Sequence, residues 1–233
     1  MKFSGRHVVI TGGTGALGSA VVGALLNADA HCHVPYIHER EAERFPHKQN
    51  ERVTLYPSVE LTDEAAVTKL YAGISPLWAS IHLAGGFAMK PLAEASKADV
   101  MGQIETNLVS CFLCCRAAVV AMSKTKSGGR IVNVAARPAL EPRTGAGMTA
   151  YTASKAGVAA LTASLAEEVA KDGILVNAVA PSIMDTPANR KAMPKADVAA
   201  WPKVEEVAAT ILFLASPDNA VTRGAIVPVY GKS

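Results

Sequence analysis

Continuous apolar runs alternate with amphipathic stretches along the chain. The runs RHVVIT (6–11), HCHVPYI (31–37), RVTLYP (52–57), WASIHLA (78–84), RIVNVA (130–135), ILVNAVA (174–180) and AIVPVY (225–230) show no clean polar alternation. Such runs suit strands covered on both faces, so about seven buried strands are expected. Helical periodicity fills the intervals at about 15–28, 63–73, 97–124, 149–171 and 203–216, with a weaker charged helix or turn at 39–48. Strand and helix in this alternation predict an α/β fold, a doubly wound parallel sheet with helices on both faces. Two stretches break the pattern, RPALEPRTGAGM (137–148) and the segment 182–202, both rich in Pro, Gly and polar residues. Each follows a strand at its carboxyl end, where open parallel sheets bind ligands, so both are expected to wall a site and 182–202 to cover it as a substrate loop.

The first strand runs into a glycine-rich turn and a helix, VVITGGTGALGSAVVGALL (8–26). Gly12, Gly15 and Gly18 are spaced for a sharp turn, close approach to a pyrophosphate and tight helix packing, which is the Rossmann-type dinucleotide arrangement. No Gly-Lys-Ser/Thr follows, so this is not the phosphate loop of an ATPase. The second strand ends in YIHERE, with His38 where an acid would accept from the ribose of NAD and Arg40 nearby. A basic residue here accommodates a 2′-phosphate, so the sequence leans to NADP(H) over NAD(H), while Glu39 keeps NAD open. His31 and His33 read as side chains alternating along this strand, not as metal ligands.

Tyr151 and Lys155 lie four residues apart in an otherwise apolar helix and so share one face. A phenol has a pKa near 10, and a cation beside it lowers that by roughly 1–3 units, which would make Tyr151 a usable acid and base.

Glycine turn, Tyr-x-x-x-Lys helix and NAVAP strand end, in this order, resemble the short-chain dehydrogenase/reductase family over nearly the whole chain. The resemblance implies that TGGTGALG holds a cofactor through Thr14 and Leu17 as well as its glycines, although Ala16 stands where many members have glycine. VELTD would contact adenine through Glu60 and Leu61, with Glu60 where Asp is usual. HLAGG (82–86) replaces an Asn-Asn-Ala-Gly stretch and brings Ala84 and Gly85 to the cofactor, both asparagines being absent. Asn107 matches an asparagine that supports a proton relay. APSIMDTP would clamp the nicotinamide through Pro181, Ile183 and Thr186.

The serine that such enzymes carry after the fifth strand is missing, its place falling on Ala135 or Ala136, with Thr144 or Thr149 as conceivable substitutes. The stretches AARPALEPRTGAGMTAY and MDTPANRKAMPKADVAAW are similar to those of the quinonoid dihydropteridine reductase branch, which also lacks this serine. The expected activity is NAD(P)-dependent hydride transfer to a carbonyl or conjugated imine, with Tyr151 as general acid/base, Lys155 tuning it and Asn107 supporting it. The alternative is a dinucleotide-binding sensor that has lost catalysis.

Composition narrows the rest. At 233 residues, with half of them apolar and 18% charged, the chain should fold as one domain and is not disordered. A net charge of +3 without any long basic run argues against nucleic acid as a partner. Apolar runs such as AVVAM are too short to cross a bilayer, and a strand begins within ten residues of Met1, so a cytoplasmic protein acting on a small molecule is expected. The four cysteines, Cys32, Cys111, Cys114 and Cys115, lack zinc-site spacing and are expected to be buried thiols without a metal. The family resemblance implies a homodimer or homotetramer paired through helices 97–124 and 149–171.

Overall fold

All seven apolar runs form strands of one parallel sheet in the order β3-β2-β1-β4-β5-β6-β7, in a computed structural model that describes Met1–Ser233. The strands are β1 (His7–Thr11), β2 (His31–Pro35), β3 (Val53–Tyr56), β4 (Leu77–His82), β5 (Gly129–Val134), β6 (Ile174–Pro181) and β7 (Ile226–Val229). Helices α1 (Ala16–Asn27), α2 (Glu39–Arg44), α3 (Glu64–Ala72), α4 (Lys97–Gln103), α5 (Ser110–Ser123), α6 (Arg137–Leu140), α7 (Thr149–Glu168), α8 (Pro187–Ala192) and α9 (Val204–Ala215) connect them.

Both faces of the central strands are buried, which explains why those strands are mostly apolar. In β1, Val8 and Ile10 enter a core with Val21 and Leu25 of α1 and Ile211 and Leu214 of α9. Val9 points the other way, into a core with Val67 and Leu70 of α3, Cys114 and Cys115 of α5 and Val158 of α7. Each such side chain contributes roughly 1.5–3 kcal/mol when fully buried.

The chain first winds outward from β1 to β2 and β3, then returns past β1 to place β4 on its other side. Connections leaving β1 and β4 therefore depart to opposite faces and open a crevice at the strand ends.

The helix expected at 97–124 is α4 and α5 joined through a π-helical turn at Ile104–Val109. Over Lys97–Ser123 its 27 residues are long and apolar enough to cross a membrane by length and composition, contrary to the reading from short runs. Its buried side chains, among them Cys114, Ala118 and Met122, instead belong to the core over β4 and β5. The segments expected as loops also carry structure, α6 with a 3-10 turn at Pro142–Gly145 in one and α8 with a 3-10 turn at Val198–Ala200 in the other.

Candidate active site

β1 delivers the chain into the glycine turn at the crevice. Gly12 has a φ of 66°, and a Cβ there would lie 2.7 Å from the Ala84 nitrogen beyond β4. Only a bare backbone turns left-handed at so close an approach. Gly18 packs directly against Gly12 and Gly13, where any side chain would collide. Gly15 caps α1 without a side-chain hydrogen bond, no acid occupies the first turn, and Gly15 and Ala16 are exposed. The leading amides of α1 thus lack a side-chain partner where a diphosphate would meet them, and the residues present fit a dinucleotide.

Thr14 donates its hydroxyl to Glu41 Oε2 at 3.2 Å, and Glu41 Oε1 accepts from the His38 amide at 3.3 Å. Sequence reading missed Glu41, for which a Thr-to-acid contact 27 positions apart leaves no local signal. β2 stops at Pro35, so His38 is an exposed cap of α2 and Arg40 lies exposed on its first turn. Glu39 accepts from the Tyr36 hydroxyl at 3.1 Å. Glu60, also exposed, turns its carboxylate onto Thr62, accepting from the amide at 3.2 Å and the hydroxyl at 3.0 Å, while Leu61 packs against the core.

On α7, Lys155 is buried and donates to the Val134 carbonyl at the end of β5 over 2.8 Å. Burial lowers its pKa to about 8, with nearby Cys111 acting in the opposite direction. A Cβ on Gly85 would lie 3.3 Å from Lys155 Nζ and 2.7 Å from Asn107 Oδ1, so only glycine lets the backbone pass between them. Asn107 sits in the π-turn, and its Oδ1 accepts from the Gly86 amide at 2.9 Å. Its Nδ2 donates to the Gly86 carbonyl at 3.0 Å and to Ser154 Oγ at 3.1 Å, tying the loop after β4 to α7. π-turns gather at functional sites, where the extra residue redirects a side chain.

Tyr151 meets the Phe87 ring edge-on, with centroids 5.0 Å apart at 83°. The expectation that Lys155 lowers its pKa is corrected. Burial pushes the phenol up to about 12, because Lys155 spends its hydrogen bond on Val134 and desolvation prevails.

Ala135 and Ala136 are both buried where the serine was sought. Thr144 is exposed and gives its hydroxyl to the Glu141 carbonyl at 2.8 Å, and Thr149 is exposed at the start of α7.

Beneath the crevice, His82 replaces one missing asparagine. Its Nδ1 lies 2.8 Å from Asn133 Oδ1, its Nε2 lies 2.7 Å from Ser80 Oγ, and Asn133 donates onward to Thr162 of α7 at 2.9 Å. The four cysteines are free and buried. Potential ligand atoms of His82, Cys111 and Cys115 lie within 4.8 Å of one another, but both His82 nitrogens are committed to this network. His31 and His33 also join a cluster that alternation alone does not foresee. His7 stacks on His31 at 5.1 Å, and His33 bridges His7 Nδ1 at 2.8 Å and the Tyr56 hydroxyl at 2.9 Å.

The expected substrate loop is partly tied down. Pro181 is buried, Ile183 is exposed, and Thr186 caps α8 by accepting from the Asn189 amide at 3.2 Å. Met184 packs on the core and Trp201 is buried, so neither is free to enclose a ring as a lid residue. Asn189 donates to the Met184 carbonyl at 2.8 Å and Arg190 pairs with Asp185 at 2.6 Å.

A glycine turn at a topological switch point, with a buried lysine and a tyrosine at the same edge, defines a nicotinamide-dinucleotide oxidoreductase. The model of the short chain dehydrogenase family matches residues 6–197. Galactitol 2-dehydrogenase of Rhizobium johnstonii is 35% identical over 98% of this chain and 95% of its own. Cis-4-hydroxycyclohexanecarboxylate dehydrogenase of Sinomonas cyclohexanicum is 34% identical over 98% of this chain and 96% of its own. A solved structure of ElxO with NADP bound superposes with a TM-score of 0.87 at 27% identity, covering 99% of this chain and 98% of the other. The chain belongs to the short-chain dehydrogenase family, and it is an NAD(P)-dependent oxidoreductase of that family.

Proposed function

We propose that this protein is an NADP(H)-dependent reductase or dehydrogenase that interconverts a carbonyl and its alcohol, or reduces a conjugated imine, with Tyr151 as general acid/base. The observation that carries the reading is Lys155, buried beside Gly85 and bonded to Val134, on the helix that also bears Tyr151. The nicotinamide, when bound, supplies or accepts the hydride.

In the reducing direction Tyr151 gives its proton to the substrate heteroatom as the neighbouring carbon gains hydride. The phenolate left behind shares a helix face with the Lys155 ammonium, which with a pKa of about 8 is largely charged at neutral pH. Positioned proton transfer of this kind is worth about 10²–10⁴ in rate. Asn107 holds the Gly86 backbone against Ser154 and so fixes the loop beside Lys155. Gly12, Gly15 and the first turn of α1, with Thr14 and Leu17, receive the diphosphate. Glu60, Leu61, Ala84, Pro181, Ile183 and Thr186 line the remaining length of the cofactor.

Exposed His38 and Arg40 at the adenosine end support NADP(H) over NAD(H), as does the NADP-bound neighbour. Nicotinamide absorbance with NADPH or NADH and a panel of ketones and quinonoid dihydropterin tests the reading. Cofactor oxidation that depends on one substrate and on Tyr151 supports it, and none across the panel overturns it.

A further inference from the structure

We infer that the substrate is a compact cyclic alcohol or ketone whose apolar ring packs on Phe87, and that open-chain polyols are rejected. This rests on the oxidoreductase reading above and goes on to the chemistry of the substrate.

Phe87 follows Gly85 and Gly86, the backbone that Asn107 clamps from both sides. Its ring is 64% exposed although it touches the Tyr151 phenol edge-on. An aromatic surface fixed beside a proton donor and otherwise open to solvent is a binding face. Met89 is 65% exposed, and its methyl would lie 3.1 Å from a Cβ on Gly147, so it reaches across to the turn before α7. Leu140 and Ile183, also exposed, come from the chain after β5 and after β6. Topology thus brings four exposed apolar side chains to the carboxyl ends of three adjacent strands, with Phe87 against the Tyr151 ring.

Several hydrogen-bonding groups at the same edge are already engaged, although Thr149 is exposed. Ala135 or Ala136 occupies the serine position, Thr144 has spent its hydroxyl on a carbonyl, and Asn107 and Lys155 are engaged with backbone. A polyol bound here would give up water at several hydroxyls without replacement partners, whereas a ring with one reacting hydroxyl needs only Tyr151. Ring hydrogens also suit the electron-rich face of an aromatic side chain.

The test compares cyclohexanol with galactitol at saturating oxidised nicotinamide dinucleotide, by steady-state oxidation and by calorimetric binding to the enzyme–cofactor complex. The wild-type chain should show at least a tenfold lower KM or Kd for cyclohexanol. Phe87→Ala should raise that value at least tenfold and leave cofactor Kd within twofold, while Phe87→Leu should stay within threefold of wild type. A preference for galactitol, or a Phe87→Ala chain with unchanged cyclohexanol affinity, overturns the inference. Galactitol turnover that depends on Tyr151 would do so while leaving the oxidoreductase reading intact. Calorimetry decides the matter even for slow substrates.

Discussion

The Lys155 ammonium donates to the Val134 carbonyl across 2.8 Å, joining α7 to the last residue of β5. The neighbouring Ser154 is held by Asn107 at 3.1 Å, so two consecutive residues tie α7 to β5 and to the π-turn after β4. Tyr151, one turn earlier on that helix, is thereby placed by bonds it does not itself make.

If Tyr151 carries the proton, Tyr151→Phe removes only an oxygen and preserves the ring contact with Phe87. Turnover should fall at least about a hundredfold, with NADPH affinity within twofold of wild type. Steady-state kinetics beside calorimetric cofactor binding make the comparison. Retained turnover would remove Tyr151 from the chemistry.

Burial sets the pKa of Lys155 at about 8, below its ordinary 10.5, so the fold binds this proton more weakly than the unfolded chain does. The penalty is complete below about pH 8 and is relieved as pH rises from there toward 10.5, so this residue makes stability increase over that window. Tyr151, raised to about 12 from 10.0, opposes the trend only above pH 10. Urea midpoints of wild type and Lys155→Met should therefore converge between pH 8 and 9.5, with the variant the more stable at neutral pH. Parallel midpoints across that range would show that the buried ammonium carries no such penalty.

Cofactor choice is expected to lie with the exposed cap of α2. His38→Asp places a carboxylate where a 2′-phosphate would sit, and should shift the NADPH to NADH affinity ratio at least about tenfold toward NADH. Fluorescence titration of both cofactors measures the ratio. An unchanged ratio would place the selecting group elsewhere.

Gly12→Ala forces a side chain into a left-handed position 2.7 Å from Ala84. The conformation alone costs about 1–2 kcal/mol, and relief of the clash would open the turn. A lower urea midpoint and at least tenfold weaker NADPH binding are expected. Full affinity would show that the cradle tolerates rearrangement.

The seven strands were legible because a sheet covered on both faces favours apolar residues on both sides of its central strands. Tyr151 and Lys155 were singled out by their spacing and Asn107 by family resemblance, and the structure brings Lys155 and Asn107 to either side of Gly85. The π-turn was not, since one extra residue in a helical turn changes no composition. Nor were the Thr14–Glu41 contact and the histidine cluster on β1 and β2, which depend on strands meeting in register, His7 opposite His31. The segment 182–202 is partly packed for a related reason. Its residues read as loop, yet the Trp201 indole within it is buried against the fold.

The crevice owes its existence to the order in which strands are laid down, with β4 returning to the far side of β1. Connectivity survives substitution. A lineage could exchange a serine for Ala135 or Ala136, or an asparagine for His82, and retain a docking place for the coenzyme while the walls drifted toward new molecules. Selectivity is then an accessory fitted onto a permanent gap, and change in one need not endanger the other.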